Sequence, residues 1–235
     1  GIFSKNGCAD APYRDVIRST WMQHPSVCPL SALHRQSECR IFATFVLGNK
    51  SVNGSGSTEP NSTMLPVEEN LDCGKTLAWF RHAAASYKAA THIVKMDMDA
   101  FPHLSHFVSL LQNFSSPCKH VYGGRSWTAC GERSFERCGC GQEYCPGLHC
   151  GHSVGTNFLR YQSDDASCFS YMQGGFYFMT RKLASRVAQE GGWWDAEVKN
   201  CHPEDITTGH AIQKYAVERG ICVAALKFDG GDAYW

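Results

Sequence analysis

Residues 91–99, THIVKMDMD, form a short apolar stretch that ends in two aspartates. β-Branched and apolar residues over this length predict a buried strand. The Ala-rich segment KTLAWFRHAAASYKAA (75–90) precedes it and HLSHFVSLLQN (103–113) follows it, and both carry apolar residues at helical spacing. A strand between two helices predicts an α/β unit, in which ligands bind at the carboxyl ends of parallel strands.

The same alternation extends in both directions from this stretch. The segments are the helix RDVIRSTW (14–21), the strand RIFATFVLG (40–48), the strand KHVYGG (119–124) stopped by its glycines, the strand YMQGGFYFMT (171–180), the helix RKLASRVAQ (181–189), the helix PEDITTGHAIQKYAVERG (203–220) and the strand ICVAALKF (221–228). They predict one α/β domain over residues 1–235, with a mostly parallel central sheet flanked by helices on both faces. GIFS (1–4) resembles the end of a core strand whose earlier part is missing, so we expect a fragment without its N-terminal anchor and stem. We also expect that its C-terminal end is missing.

Two segments interrupt the alternation. Residues 49–63 are rich in Gly, Ser and Asn and predict a surface loop. Residues from about 126 to 168 predict an irregular insertion held by disulfides, because they contain six cysteines, Cys130, Cys138, Cys140, Cys145, Cys150 and Cys168. Structural zinc is an alternative, with Cys138, Cys140, Cys145, Cys150, His149 and His152 as candidate ligands. Their spacings are not those of common zinc modules, which favours disulfides.

Composition limits the class of protein. The 22 Lys and Arg residues balance 22 Asp and Glu residues, so the chain has no net basic charge with which to bind nucleic acid. The chain contains 13 cysteines, an odd number that leaves at least one thiol free or paired outside the chain. Four of the eight asparagines begin the acceptor sequence for N-glycosylation: Asn49, Asn53, Asn61 and Asn113. Both features predict an oxidising secretory compartment.

Three short motifs are candidates for chemistry. Asp97 and Asp99 lie at the end of the strand at 91–99, where two carboxylates can hold a divalent ion and its phosphate ligand. The alternative is that they are solvated acids at a strand end. Glu204 and Asp205 follow Pro203, where acids also stabilise a helix through its dipole. Gly174 and Gly175 permit close approach of a ligand or another chain segment, or form a bulge.

Taken in order, six segments resemble the motifs of the β1,3-glycosyltransferases of glycosyltransferase family 31, which includes β1,3-galactosyltransferases, β1,3-N-acetylglucosaminyltransferases and the Fringe proteins. They are RDVIRSTW (14–21), FVLG (45–48), KTLAW (75–79), KMDMDAF (95–101), YMQGGFYFMT (171–180) and PEDITTG (203–209). KMDMDAF, together with EENLDCGKT (68–76), also resembles the parasite phosphoglycan β1,3-galactosyltransferases.

This resemblance implies a GT-A fold, a UDP-sugar donor, manganese as the divalent metal, and inversion at the anomeric carbon. It implies transfer of a hexose, galactose first and N-acetylglucosamine second, in β1,3 linkage to a glycan acceptor on a glycoprotein, glycolipid or phosphoglycan. It further implies a type II membrane protein on the luminal side of the Golgi membrane, with an anchor outside this sequence.

The resemblance also assigns roles to individual residues. Asp97 and Asp99 match the motif that binds metal and diphosphate, with Asp99 the more direct ligand, and Asp205 matches the catalytic base. Arg14, Arg18 and Lys95 match basic positions near the donor site, for which ion pairs that support the fold are an equal alternative. Gly174 and Gly175 match the glycines beside the donor.

The chain departs from the family pattern in one respect, and two functions other than glycosyl transfer are alternatives. The third metal ligand of the family is a histidine beyond the last strand, and no histidine follows His210 here, so that ligand lies beyond Trp235 or is absent. A phosphohydrolase with the first aspartate as nucleophile would place its motif near the chain start, followed by Thr or Val, whereas Ala100 and Phe101 follow here. A luminal carbohydrate-binding protein with the same fold and no turnover is the other alternative.

Overall fold

A computed structural model of the chain describes residues 1–33, 38–48, 59–114, 118–130, 149–152, 159–160 and 168–228. The strands in this part are β1 (Ile2–Phe3), β2 (Val27–Pro29), β3 (Ile41–Ala43), β4 (Phe45–Gly48), β5 (Ser62–Leu65), β6 (His92–Asp97), β7 (His120–Cys130), β8 (His149–His152), β9 (Leu159–Arg160), β10 (Cys168–Thr180) and β11 (Val223–Lys227). The α-helices are α1 (Ala11–Ser19), α2 (Thr76–Ser86), α3 (Leu104–Asn113), α4 (Arg181–Val187), α5 (Trp193–Glu197) and α6 (Glu204–Arg219).

Nine of these strands form one sheet in the order β5-β4-β1-β6-β10-β7-β11-β8-β9. Most neighbours are parallel; β10 runs antiparallel to β6 and β7, and β9 runs antiparallel to β8. β2 and β3 form a separate parallel pair. The predicted fold class, a mostly parallel sheet flanked by helices, is therefore confirmed.

Two predicted strand boundaries are wrong. RIFATFVLG is not one strand, because it divides at Thr44 into β3 and β4, which belong to different sheets. β7 does not stop at its glycines but continues to Cys130. Gly123 is needed inside the strand, since a Cβ there would lie 2.4 Å from the Phe178 ring on β10.

The predicted insertion is less irregular at its ends than its composition suggests. Its first residues, 126–130, belong to β7, and its last residue, Cys168, begins β10 directly opposite Cys130. β8 and β9 lie within it and extend the sheet. The remainder, including Cys138, Cys140 and Cys145 of the zinc alternative, lies outside the described residues.

Each face of the sheet covers its own hydrophobic core. Helices α2, α4, α5 and α6 pack on one face around Phe80 and Tyr177, whereas α1 and α3 pack on the other around Phe107 and Phe178. Tyr177 and Phe178 are consecutive in β10 and point to opposite faces, as successive strand residues do. α6 ends at Arg219, and the next residue, Gly220, has φ of 60°, the left-handed conformation typical of the position after a helix. Within the described residues no helix is long and apolar enough to span a bilayer.

The described residues contain three disulfides: Cys28–Cys39 closes a short loop of sequence separation 11, whereas Cys73–Cys201 and Cys118–Cys222 join residues 128 and 104 positions apart. Cys8 is free and exposed. Disulfide bonding is therefore confirmed for cysteines of the described part. Of the predicted glycosylation sites, Asn61 and Asn113 are exposed, and Asn49 and Asn53 lie outside the described residues.

The disulfides give a first testable expectation. The protein unfolded in denaturant without reductant should show at most seven reactive thiols, because the three disulfides occupy six of the 13 cysteines. A thiol titration before and after reduction measures both numbers on one sample. Ten or more reactive thiols before reduction would contradict both the disulfides and the oxidising compartment.

Candidate active site

The candidate site lies where β1, β4 and β6 end. These strands are parallel, so their carboxyl ends meet at one edge of the sheet. β6 ends at Asp97, directly beside Phe3 of β1. β10 runs in the opposite direction with Phe176 facing Met96, which brings the preceding Gly174 and Gly175 to the same edge.

Lys95 is the centre of this site and is completely buried. Its Nζ lies 2.7 Å from Asp97 Oδ1 and 2.8 Å from Glu204 Oε1, and it donates a hydrogen bond to the Gly174 carbonyl. Burial alone would lower the pKa of Lys95, but the charges of Glu204 and Asp97 outweigh it and raise that pKa. Lys95 is therefore a charged lysine whose ammonium holds two carboxylates and one backbone carbonyl.

Glu204 is the residue that the sequence analysis underrated. The resemblance assigns a role to Asp205 and none to Glu204, yet Glu204 reaches the buried ammonium of Lys95 and accepts a 2.5 Å hydrogen bond from the Tyr177 hydroxyl. Burial raises the pKa of Glu204, and Lys95 opposes the rise. The sequence does contain an indication of this pair, because a lysine inside an apolar strand needs a buried acidic partner. It does not show which acid is that partner.

The Tyr177 hydrogen bond gives a stability prediction. Tyr177→Phe should lower the free energy of unfolding by about 1.5–3 kcal/mol, because it removes a donor from the buried Glu204 carboxylate. Urea unfolding at neutral pH measures the change. Tyr13→Phe is the matched control, since Tyr13 is 62% exposed, and it should unfold like the parent. Equal stability of Tyr177→Phe and the control would contradict the importance of this contact.

Asp205 stands beside Glu204 in the first turn of α6. Its Oδ2 accepts the N–H of Gly174 at 3.1 Å, and its Oδ1 accepts the N–H of Ile206 at 2.8 Å. Burial raises the pKa of Asp205 from its ordinary value. A carboxylate with a raised pKa is a stronger proton acceptor, which suits a general base.

Gly174 is surrounded by these charged groups. A Cβ on Gly174 would lie 3.0 Å from Glu204 Oε1 and 3.5 Å from Lys95 Nζ. The pairing of β10 with β7 is irregular between Met172 and Tyr177, so Gly174 and Gly175 lie in a bulge. The space left by the missing side chain of Gly174 is therefore occupied by the side chains of Glu204 and Lys95.

The two aspartates of the DxD motif differ in their surroundings. Asp97 is partly buried and one of its oxygens faces Lys95, whereas Asp99 is exposed beyond the end of β6. Two carboxylates suit a divalent ion that completes its coordination with water and diphosphate oxygens. Among the described residues, no group of three His, Cys, Asp or Glu side chains forms a complete metal site.

Arg14 and Arg18 form a separate cluster on α1. Arg14 donates to Ser4 Oγ at 2.8 Å and to the Lys5 carbonyl at 2.9 Å, and both arginines pair with Glu59. Hydrogen bonds from Arg18, and secondly from Arg14, lower the pKa of Glu59 despite its partial burial. The structure therefore brings Lys95, Asp97, Gly174 and Asp205 together but places the two arginines in another ion-pair network.

Lys75, which the sequence analysis did not single out, extends the arginine network, because it contacts Ser4, which also binds Arg14. Its buried Nζ donates to the Ser4 carbonyl at 2.6 Å and pairs with Glu69, whose other oxygen accepts the N–H of Gly48 at 2.6 Å. Burial lowers the pKa of Lys75, while Glu69 opposes the shift. These contacts fix the ends of β1 and β4 beside the candidate site.

The sheet, its flanking helices and the charged cluster at the carboxyl edge define a GT-A-like α/β protein. The sequence model of the galactosyltransferase family matches residues 69–223, well over half of the chain, and the chain belongs to this family. A search of curated proteins found no match. The matched residues include the DxD motif, Gly174, Gly175 and the start of α6, whereas α1 lies outside them. Glycosyl transfer is accordingly the activity of its family.

Proposed function

We propose that the protein transfers a hexose from a UDP-sugar to a glycan hydroxyl in β1,3 linkage, with inversion at the anomeric carbon. Galactose is the favoured sugar and N-acetylglucosamine the second. The observation that supports this most is the position of Asp205, a half-buried carboxylate of raised pKa, beside the DxD strand end. An inverting transfer needs one such base and no second carboxylate nucleophile.

In this proposal Asp205 accepts the proton of the acceptor hydroxyl as its oxygen attacks the anomeric carbon. The N–H of Gly174 and the N–H of Ile206 fix both oxygens of Asp205. Lys95 neutralises Glu204 and holds Asp97 in place, so it acts on the donor site through its carboxylate partners. Gly174 lets the side chains of Lys95 and Glu204 approach β10 closely, and in this proposal the bulge of Gly174 and Gly175 lies beside the donor.

Asp97 and Asp99 would hold the divalent metal, manganese in this proposal, together with the donor diphosphate. When bound, such an ion neutralises negative charge on the leaving nucleoside diphosphate. Asp99 is the more available ligand, because it is exposed and Asp97 already faces Lys95.

The proposed location is the luminal side of the Golgi membrane, as a type II membrane protein whose anchor lies outside this sequence. The disulfides and the exposed Asn61 and Asn113 support an oxidising lumen in which N-glycosylation occurs. The acceptor would be a glycan of a glycoprotein, glycolipid or phosphoglycan, the last in keeping with the resemblance of KMDMDAF.

The test is a panel of UDP-sugars against glycan acceptors in the presence of manganese, with mass and linkage analysis of each product. We expect addition of one hexose in β1,3 linkage and release of UDP. A product with another linkage would show that the proposed β1,3 linkage is wrong. Release of phosphate from monoesters would indicate a hydrolase, and acceptor binding without transfer or UDP release would indicate a carbohydrate-binding protein.

A further inference from the structure

Helix α6 begins without a cap from its own N-cap residue. Pro203 occupies that position and makes no side-chain cap hydrogen bond. The first N–H groups of a helix have no acceptor inside the helix. Asp72 supplies one of the missing acceptors: its Oδ1 accepts the N–H of Glu204 at 3.2 Å, across 132 positions of sequence. The start of α6 is therefore capped by a distant segment.

The turn that carries Asp72 is itself held in place. Asn70 Oδ1 accepts the N–H of Asp72 at 3.0 Å and that of Cys73 at 3.3 Å. Cys73 forms the disulfide with Cys201, three residues before α6 begins. The next residue, Gly74, has φ of 114°, a conformation that favours glycine. One turn thus reaches the start of α6 through a covalent bond and a hydrogen bond.

The helical turn held in this way carries both acids of the candidate site. Glu204 contacts Lys95 and Tyr177, and Asp205 accepts the N–H of Gly174. A small displacement of this turn would move Asp205 relative to β10. Displacements of about 1 Å at a reacting group can cost about a hundredfold in rate.

We propose that Asp72, tethered through the Cys73–Cys201 disulfide, is a positioning residue that sets the place of Asp205 by capping α6. This inference rests on the proposed function, since it assigns a purpose to the position of the proposed base. Asp72 is exposed, so its removal leaves no cavity in the core. Capping needs a side-chain oxygen and not a full charge, because asparagine caps helices about as well as aspartate.

The experiment compares Asp72→Ala, Asp72→Asn and the double variant Cys73→Ser/Cys201→Ser with the parent. Glu218→Ala, an exposed acid in the last turn of the same helix, is the matched control. Each protein is measured for kcat, for KM of the UDP-sugar, and for hydrogen exchange of the amides of residues 204–208. The exchange measurement reports on the helix start whether or not the sample is active.

We expect Asp72→Ala to lower kcat about tenfold, to leave KM for the donor within about twofold, and to speed exchange at residues 204–208. Asp72→Asn should stay within about threefold of the parent kcat, with exchange restored, because its side-chain oxygen still accepts the N–H of Glu204. The double serine variant should behave like Asp72→Ala, and Glu218→Ala like the parent.

Unchanged hydrogen exchange at residues 204–208 in Asp72→Ala would overturn the proposal. An asparagine variant with a kcat as low as that of the alanine variant would also overturn it, because Asp72 would then act through its charge and not as a cap. If the double serine variant does not fold, the two Asp72 variants, which keep the disulfide, decide the question. A parent that transfers no sugar would overturn the proposed function. The exchange measurements would still show whether Asp72 caps α6, so the two failures can be told apart.

Discussion

Asp205→Asn should reduce the rate of sugar transfer by roughly a hundredfold or more, while the affinity for UDP with manganese stays within about threefold of the parent. The amide has nearly the same shape as the carboxylate but cannot accept the proton of the acceptor hydroxyl. It also has only one oxygen, so it can satisfy either the N–H of Gly174 or that of Ile206. We therefore expect a modest loss of melting temperature together with the large loss of rate.

The variant needs a particular preparation and a matched control. The substitution places an asparagine before Ile206 and Thr207 and so creates an N-glycosylation acceptor sequence, which requires a host that does not glycosylate. Asp195→Asn is the control: Asp195 also lies in a first helical turn, pairs with Arg81 and accepts the N–H of Gly191. It should lower the melting temperature and leave the transfer rate unchanged.

Three measurements on each variant separate the roles that Asp205 could have. A transfer rate within threefold of the parent would contradict the assignment of Asp205 as base and would leave it a helix-stabilising acid. A loss of UDP affinity that accompanies the loss of rate would indicate contact with the metal or the donor. Loss of rate alone, with UDP affinity kept, is the result that a general base predicts.

The order of strands and helices could be predicted from the sequence because each element has its own local periodicity. The strand at 91–99 and the helices on either side of it are present as β6, α2 and α3. The continuation of β7 past Gly123 could not be predicted, because the need for glycine there comes from the Phe178 ring on another strand. Local sequence marks a glycine but does not show what lies against it.

The residues of the candidate site likewise divide into those that local sequence indicates and those that depend on packing between elements. Asp97, Gly174 and Asp205 could be proposed from motifs, since each lies at the end or bend of an element. The buried pair of Lys95 with Glu204 joins residues 109 positions apart, and its existence depends on how α6 packs against β10. A first-turn acid that stabilises a helix and one that enters a buried ion pair have the same sequence signature. Only the packing distinguishes them.

Asp99→Ala should abolish the metal-dependent part of UDP binding, with a loss of affinity of at least about a hundredfold. Asp97 already directs one oxygen at Lys95, so Asp99 is the exposed carboxylate that is available to a divalent ion. Without Asp99 the ion would be held incompletely, and the diphosphate would face the remaining negative charge of Asp97. The stability of the protein should not change, because Asp99 is exposed and lies outside the core.

Calorimetric titration with UDP, with and without manganese, tests this on the parent, on Asp99→Ala and on the exposed-acid control Glu190→Ala. The parent treated with a chelator should bind UDP as weakly as Asp99→Ala does with manganese, since both lack a properly held ion. The control should bind like the parent. If Asp99→Ala keeps the parent affinity while manganese still strengthens binding, the metal site lies elsewhere. If the parent binds UDP equally with and without manganese, the proposed metal dependence is wrong, and Asp97 is then left as the structural partner of Lys95.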